Sequence, residues 1–427
     1  VNLKQLTVKN FRCYEDKTLT FHEQFNLIVG QNATGKTTVL DAISVAIATL
    51  LLGFKHRKDK KSIESDDSML RYVPEGGHFV NAWPVSVKAI ASCYGVDNIV
   101  WERSKESPTG NTRYGEATQL ISLAKKMDTN LAENEPLPLI SYYGTMRLWQ
   151  DPRQAKVGLK QLGDKPSRLD GYKHCVDPRI AVRELVAWFA SQEWAAYQDG
   201  KQSVALSVVK NAVLSCLENA EEIRYHPKRK ELLLTIKDEG PHPFNMLSDG
   251  QRCILALVAD IAQKAVSLNG YMGEEVLNKT EGIVLIDELD LHLHPRWQRR
   301  VIEDLRRTFP KIQFICSTHS PFLIQSLRSG EELIMLDGQP TAELANKTLE
   351  DIAVGIMAVN KPDTSKRYDE MKGVATEYLK ALDASDKIPS EKLSEFKDRL
   401  AENIAPYADN PAYQAFLEMR RVAKLKE

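Results

Sequence analysis

Gly30-Gln31-Asn32-Ala33-Thr34-Gly35-Lys36-Thr37 fits the spacing G-x-x-x-x-G-K-[ST], in which the backbone N–H groups of a glycine-rich loop cradle phosphates. Its flanks decide how it folds. Phe25-Asn26-Leu27-Ile28-Val29 is an apolar run of strand length. Thr38 to Leu52 reads as a buried helix, with Gly53 as its stop signal. Strand, loop and helix start together offer N–H donors and the positive end of a helix dipole to an anion. In that frame Gly30, Asn32, Ala33, Thr34 and Gly35 form the cradle. Lys36 reaches the β- and γ-phosphates of a nucleotide, and the Thr37 hydroxyl binds Mg2+.

Three later stretches belong with this loop. Leu247-Ser248-Asp249-Gly250-Gln251 opens a helix over Arg252 to Val266. Ser248 suits its N-cap, and Gly250 lets backbone approach a ligand, so this is a second anion-binding helix end. Gly282-Ile283-Val284-Leu285-Ile286-Asp287-Glu288 is an apolar run closed by two carboxylates. It reads as a buried parallel strand with acids at its carboxyl edge, where open α/β sheets bind ligands. Asp287 suits Mg2+, and Glu288 suits positioning or polarising a water molecule. Ile312 to Thr318 is another buried strand, and it delivers His319 to the same edge as a hydrogen-bond donor to a γ-phosphate.

The chain has 427 residues, 43% hydrophobic and 27% charged, with a formal net charge of −1. Two or three domains are expected, and global charge makes no case for nucleic acid. Any such contact would need a local patch, and Lys55 to Lys61 carries five Lys or Arg in seven residues. Such a run is either a solvated loop or a phosphate-backbone contact. Six scattered cysteines without a C-x-x-C pair argue against zinc and for a reducing compartment. The start Val-Asn-Leu-Lys does not read as a signal peptide, and no apolar run reaches about 18 residues. The expectation is a cytoplasmic protein with no membrane association.

Arg12, at the end of a first strand, is either a solvated arginine or a nucleotide contact. Val85–Tyr94 with Asn98–Glu106, and Ile223–Tyr225 with Leu232–Ile236, read as antiparallel hairpins. Arg179–Gln198, Ser203–Ala220 and Arg296–Phe309 have helical spacing, and Glu331–Leu336 reads as a last sheet strand. Residues 107–135 and 150–178 read as polar insertions. Tyr142 to Gln150 puts aromatics beside Arg147, for core packing or for lining a ligand. His292 and His294 alternate before Pro295, but without a third ligand they suit a turn better than a metal. The expected division is 1–140 (ATPase lobe with the phosphate loop and antiparallel strands), 141–266 (inserted helical lobe ending in the second anion site), 267–338 (lobe with the acidic strand and His319) and 339–427 (helical tail for oligomer or partner docking). Within the tail, 370–382, 391–403 and a segment from Asn410 have helical periodicity.

Four ordered motifs make the chain resemble the ATP-binding-cassette ATPases of the SMC/RecF/OLD type: an α/β head with a mixed sheet, an inserted helical lobe and a helical C-terminal tail. The resemblance implies ATP and Mg2+ as cofactors. It implies Arg12, Gly30, Asn32, Ala33, Thr34, Gly35, Lys36, Thr37, Thr38, Ser248, Gly250 and Gln251 as ATP contacts. Thr37 and Asp287 hold the metal, and Glu288, His319 and Lys36 are catalytic. Asp290 falls in the loop that communicates across the dimer. Asp249 departs from the glycine usual in transporters, as in SMC-like members. The family's glutamine loop is placed in Ser141–Gln150, with Gln150 as its candidate. In such proteins two heads sandwich ATP, each giving its phosphate loop to one side and its signature helix to the other.

A narrower resemblance rests on Tyr142-Tyr143-Gly144-Thr145-Met146-Arg147-Leu148-Trp149, Leu291-His292-Leu293-His294-Pro295 and Asp409-Asn410-Pro411-Ala412-Tyr413. These are similar to the PtuA ATPases of Septu-type anti-phage systems. That implies a homo-oligomer built from head-to-head dimers, a partner HNH nuclease of the PtuB type and, in retron-associated members, a reverse transcriptase and its msDNA, with nucleic acid met through the complex. The sequence has no HNH motif, and after Leu336 it offers a helical tail where a TOPRIM nuclease would need room. The expectation is an ATPase that is not itself a nuclease. The alternative is a RecF-like DNA-repair ATPase that binds DNA directly.

Overall fold

The computed structural model describes residues 1–55, 61–74, 77–115, 117–131, 134–148, 167–336 and 348–357, with the single positions 373, 376, 380 and 419. By internal contacts the chain divides into two compact units, Val1–Ile352 and Ala353–Glu427.

The first unit begins with β1 (Asn2–Phe11), β2 (Tyr14–Thr20) and β3 (Phe25–Val29), which runs into α1 (Lys36–Ile47). A hairpin of β4 (Met69–Val73) and β5 (His78–Ala82) precedes β6 (Val85–Cys93) and β7 (Val96–Lys105). Then come α2 (Thr118–Thr129), β8 (Leu139–Tyr143), α3 (Val182–Asp199) and α4 (Val204–Cys216). Three short strands follow, β9 (Ala220–His226), β10 (Glu231–Ile236) and β11 (Gly240–Pro243), and then the long α5 (Asp249–Asn269). The last part contains α6 (Val276–Lys279), β12 (Gly282–Ile286), α7 (Pro295–Gln298), α8 (Val301–Thr308), β13 (Ile312–Ser317), α9 (Pro321–Gln325), β14 (Leu333–Met335) and α10 (Leu349–Gly355).

Two sheets organise the site. The first is wholly parallel, in the order β14-β3-β13-β12-β8. Its strands β3, β8, β12 and β13 are buried at every position, as expected of strands covered on both faces. The second, β2-β1-β6-β7, is antiparallel and alternates buried with more exposed positions along β6. The mixture expected from the sequence therefore lies between sheets rather than within one. α1 touches both sheets, and the Trp101 indole of β7 donates to the Ala46 carbonyl at 3.0 Å. Gln313, in the buried interior of β13, bonds both backbone groups of Leu3 at 2.8 Å and so ties the sheets together.

α5 is buried nearly all round, which fits a helix enclosed by protein on every side. Its one buried ion pair, Asp260–Lys264 at 2.7 Å, is satisfied further by the Tyr143 hydroxyl and by Ser141. Burial and the neighbouring Asp260 push the Tyr143 phenol well above its usual value. Lys36–Gly53 and Asp249–Lys279 match a membrane span in length and apolarity, yet 83% and 78% of those windows are buried inside the protein. They are core helices.

Several expectations need correction. The helix after the phosphate loop ends at Ile47, and Leu50–Gly53 is a separate 3-10 turn. Gly53 does not serve as a stop signal there. A Cβ at Gly53 would lie 2.3 Å from that of Ala124, so the residue lets α2 pack closely. The segment 107–135 contains that helix, which buries Leu120, Ala124 and Met127. In 150–178, the described part folds into a 3-10 turn whose Tyr172 is buried and donates to the Pro138 carbonyl at 2.8 Å. The boundary expected at 140/141 falls inside β8, a strand of the central sheet. The helix expected over Arg296–Phe309 is two, α7 and α8. Of the expected tail helices, 373, 376, 380 and 419 are helical, and 391–403 lies outside the described residues, as do Gln150 and most of the basic run 55–61.

Candidate nucleotide site

The phosphate loop owes its shape to contacts from β2. Gly35 has φ +94°, and a Cβ there would come within 2.5 Å of Cys13 Sγ and 2.6 Å of Tyr14 Oη. Both conformation and space require glycine. The Tyr14 hydroxyl donates to the Thr34 carbonyl at 2.7 Å and holds the loop from behind, while Gln31, Asn32 and Ala33 are exposed. α1 has no acidic residue in its first turn and no side-chain cap, so no carboxylate of its own first turn competes for its N-terminal N–H groups. Lys36 is buried, and its ammonium donates to the Gly30 and Gln31 carbonyls at 2.6 and 2.9 Å. To reach a phosphate it must leave these acceptors. Thr38 is also buried, its hydroxyl facing the Cys13 thiol at 3.9 Å.

The carboxylates arrive from β12. In register Ile286 faces Cys316, so the next pair brings Asp287 beside Ser317. Asp287 is 2% exposed and accepts from the Thr37 hydroxyl at 2.8 Å and from the Ser317 hydroxyl at 2.5 Å. The two residues expected to hold Mg2+ therefore adjoin one another, although 250 positions separate them in the chain. Hard oxygen donors in this pairing, beside a loop able to hold phosphates, fit a nucleotide-bound Mg2+.

Glu288 follows with φ +49°, a conformation rare outside glycine. Four contacts enforce it. The Glu288 N–H donates to Ser317 Oγ at 2.8 Å, and the Leu289 N–H to the Ser317 carbonyl at 2.9 Å. On the other side Arg147 donates through Nη1 to the Asp287 carbonyl at 2.8 Å and through Nη2 to the Glu288 carbonyl at 3.0 Å. Arg147 is 1% exposed, which favours packing over direct lining of a ligand. Ser317 was not singled out from the sequence. Its only signal is its place at the end of an apolar strand, before Thr318 and His319.

β13 lies between β3 and β12, so His319 emerges between the phosphate loop and the acids. Its N–H donates to Asp290 Oδ1 at 3.4 Å, and the Thr318 hydroxyl donates to the same oxygen at 2.5 Å. Asp290 is thus bonded within its own chain to the strand that carries His319.

Arg12 is engaged elsewhere than at a phosphate. Its guanidinium pairs with Asp41 of α1 at 2.5 Å and with Asp67 at 2.8 Å, under φ +49°. These carboxylates raise the Arg12 pKa against the opposing effect of burial. A nucleotide contact would have to compete with both. Asp41, which also pairs with Lys61 at 3.6 Å, escaped the sequence reading.

Ser248 and Gln251 form a reciprocal cap at the start of α5, with Ser248 Oγ accepting from the Gln251 N–H at 3.3 Å and the Gln251 side chain accepting from the Ser248 N–H at 3.0 Å. Ser248 is exposed and Gln251 half-buried. Gly250 is buried, and a Cβ there would lie 2.7 Å from the His292 carbonyl. Its smallness serves a contact within the chain. His294 Nδ1 caps α7 by accepting from the Arg296 N–H at 3.2 Å, the structural task expected of it.

A family profile described as an AAA domain matches residues 5–234. The chain belongs to that AAA domain family. A second profile, described as "AAA domain, putative AbiEii toxin, Type IV TA system", matches residues 176–325 of this AAA protein. A retron Vc95 probable ATPase of Vibrio cholerae serotype O1 biovar El Tor is 23% identical over 386 residues, 77% of this chain and 72% of that one. The Septu protein PtuA of Bacillus thuringiensis is 22% identical over 358 residues, 83% and 80% of the two chains. Among solved structures, the SMC head bound to the C-winged helix domain of ScpA covers 78% of this chain and 94% of its own at 15% identity and TM-score 0.48. The ATPase part of the resemblance read from the motifs is borne out by the AAA domain, and the narrower one by the similarity to PtuA and to retron ATPases.

Proposed function

We propose that the chain binds ATP with Mg2+ and hydrolyses it as the ATPase of a bacterial anti-phage defence complex in the cytoplasm. The observation that carries the hydrolytic part is the contact of Thr37 with Asp287, beside a Glu288 whose backbone is held on both sides. Thr37 and Asp287 would hold the Mg2+, which neutralises charge between the β- and γ-phosphates when bound. The residues of the chain then divide the work. The loop N–H groups and the start of α1 hold the phosphates, and Lys36 adds a charge at the γ-phosphate. Glu288 orients the attacking water, and His319 donates to the γ-phosphate from between the two.

The Ser248–Gln251 end of α5, exposed at Ser248 and Asp249, serves a second copy, so that ATP joins two heads and hydrolysis parts them. This pairing builds the homo-oligomer. The complex carries an HNH nuclease of the PtuB type and, where a retron is attached, a reverse transcriptase and its msDNA. The support is the similarity to proteins named as a Septu PtuA and a retron ATPase. In this reading the chain itself is not a nuclease.

Light scattering of Glu288→Gln with and without Mg-ATP tests the dimer: a mass that doubles with ATP supports it, and an unchanged mass counts against it. Purification of the complex from its native operon tests the partners. Co-eluting nuclease and msDNA are expected. Tight, salt-sensitive binding of gapped DNA by the isolated chain would favour a RecF-like role instead.

A further inference from the structure

Arg147 donates to four acceptors on three elements. Nη1 bonds the Gly144 carbonyl at 3.1 Å and the Asp287 carbonyl at 2.8 Å, Nη2 bonds the Glu288 carbonyl at 3.0 Å, and Nε bonds Cys253 Sγ at 3.1 Å. Its own backbone is fixed as well, by the Arg147 N–H on the Gly144 carbonyl and the Ile180 N–H on the Arg147 carbonyl. Burying a guanidinium among mostly neutral acceptors costs several kcal/mol, and an apolar side chain would fill this volume without that cost. Stability of the fold does not by itself account for the residue. What the fork does uniquely is to grip the peptide planes on either side of Glu288 from below. Ser317 grips the same two planes from above, through the Glu288 and Leu289 N–H groups. A non-glycine residue at φ +49° persists only where its surroundings over-determine it.

We propose that Arg147 is a positioning residue for hydrolysis, holding the Asp287–Glu288–Leu289 backbone so that the Glu288 carboxylate is presented in one direction. This rests on the reading of Glu288 as the group that orients water. Arg147 touches no phosphate and no metal-binding atom in this role. Its bonds end on main-chain carbonyls and on Cys253 of α5, the helix that opens at the signature residues. Any error in the Glu288 backbone is passed directly to its carboxylate, and small displacements of a positioned group are costly in rate.

The test compares Arg147→Met and Arg147→Lys in the full chain. It measures kcat, KM for ATP, affinity for a non-hydrolysable ATP analogue and the Mg2+ concentration giving half-maximal rate. In Arg147→Met, kcat is expected to fall at least tenfold, with analogue affinity and Mg2+ requirement within threefold of wild type. Arg147→Lys, which can still donate to one or two carbonyls, should recover part of the loss. In a Glu288→Gln background Arg147→Met should cause no further loss, since the group it positions is already gone. A kcat within twofold of wild type in Arg147→Met overturns the proposal. So does loss of analogue affinity in step with kcat, or a full further loss on top of Glu288→Gln. Should Arg147→Met not fold, Arg147→Lys decides: lowered kcat at unchanged affinity supports the role, and wild-type kcat shows a purely structural one. Wild-type turnover in Glu288→Gln alone would remove the function read for Glu288 itself, whatever Arg147 does.

Discussion

The Asp287–Glu288 corner and the Ser248–Gln251 helix start are both expected to serve a nucleotide, but they are built in opposite ways. The corner is held from outside itself. Thr37, Tyr143, Arg147 and Ser317 reach it from α1, β8, the turn after β8 and β13, and Asp287 is almost fully buried. The helix start satisfies itself: Ser248 and Gln251 cap one another, Asp249 pairs with Arg252, Ser248 and Asp249 are exposed, and Gln251 and Arg252 are half-buried. A site assembled from many elements fixes geometry and suits chemistry. A site closed locally leaves its surface available to a neighbour.

Four experiments would break or sharpen that contrast. Lys36→Ala should have the largest effect, lowering affinity for ATP more than a hundredfold by isothermal titration, because it removes the one cation of the loop. Retained binding would move the phosphates elsewhere. Glu288→Gln should lower kcat about a hundredfold while keeping affinity, since a neutral amide fills the same space without polarising water. Equal rates in mutant and wild type would empty the corner of its catalytic role. Ser317→Ala should raise the Mg2+ needed for half-maximal rate roughly tenfold, because its hydroxyl bonds the Asp287 carboxylate directly. An unchanged Mg2+ requirement would separate Asp287 from the metal. Ser248→Ala should cost only about 1 kcal/mol of stability, the usual value of an N-cap, read as a small fall in melting temperature. If that helix start serves a second copy, the same variant should also lose ATP-dependent association while its own phosphate loop still binds ATP. Intact association would confine Ser248 to capping.

Much of the architecture was legible because local pattern and tertiary role coincided. β3, β12 and β13 are unbroken apolar runs, so their burial could be read directly. α2 was less visible. Only Leu120, Ala124 and Met127 are buried in a largely polar stretch, and the helix depends on packing against Gly53. Within the site, residues whose side chains are proposed to carry the chemistry were legible, while those acting through backbone were not. Ser317 and Arg147 hold peptide groups of other segments, and no spacing rule links position 147 to 287. Arg12 shows the converse. Its place near the loop was readable, but its commitment to Asp41 and Asp67 required the fold.

The sequence alone determined the phosphate loop, the acids at a strand end, the capped helix and their order, because each is a local pattern whose chemistry depends on near neighbours. The tertiary structure decided which of these meet. Parallel strands put distant residues side by side in register, so Thr37 reached Asp287, Ser317 reached Glu288, and a buried arginine from the turn after a third strand came to hold the Asp287 and Glu288 carbonyls.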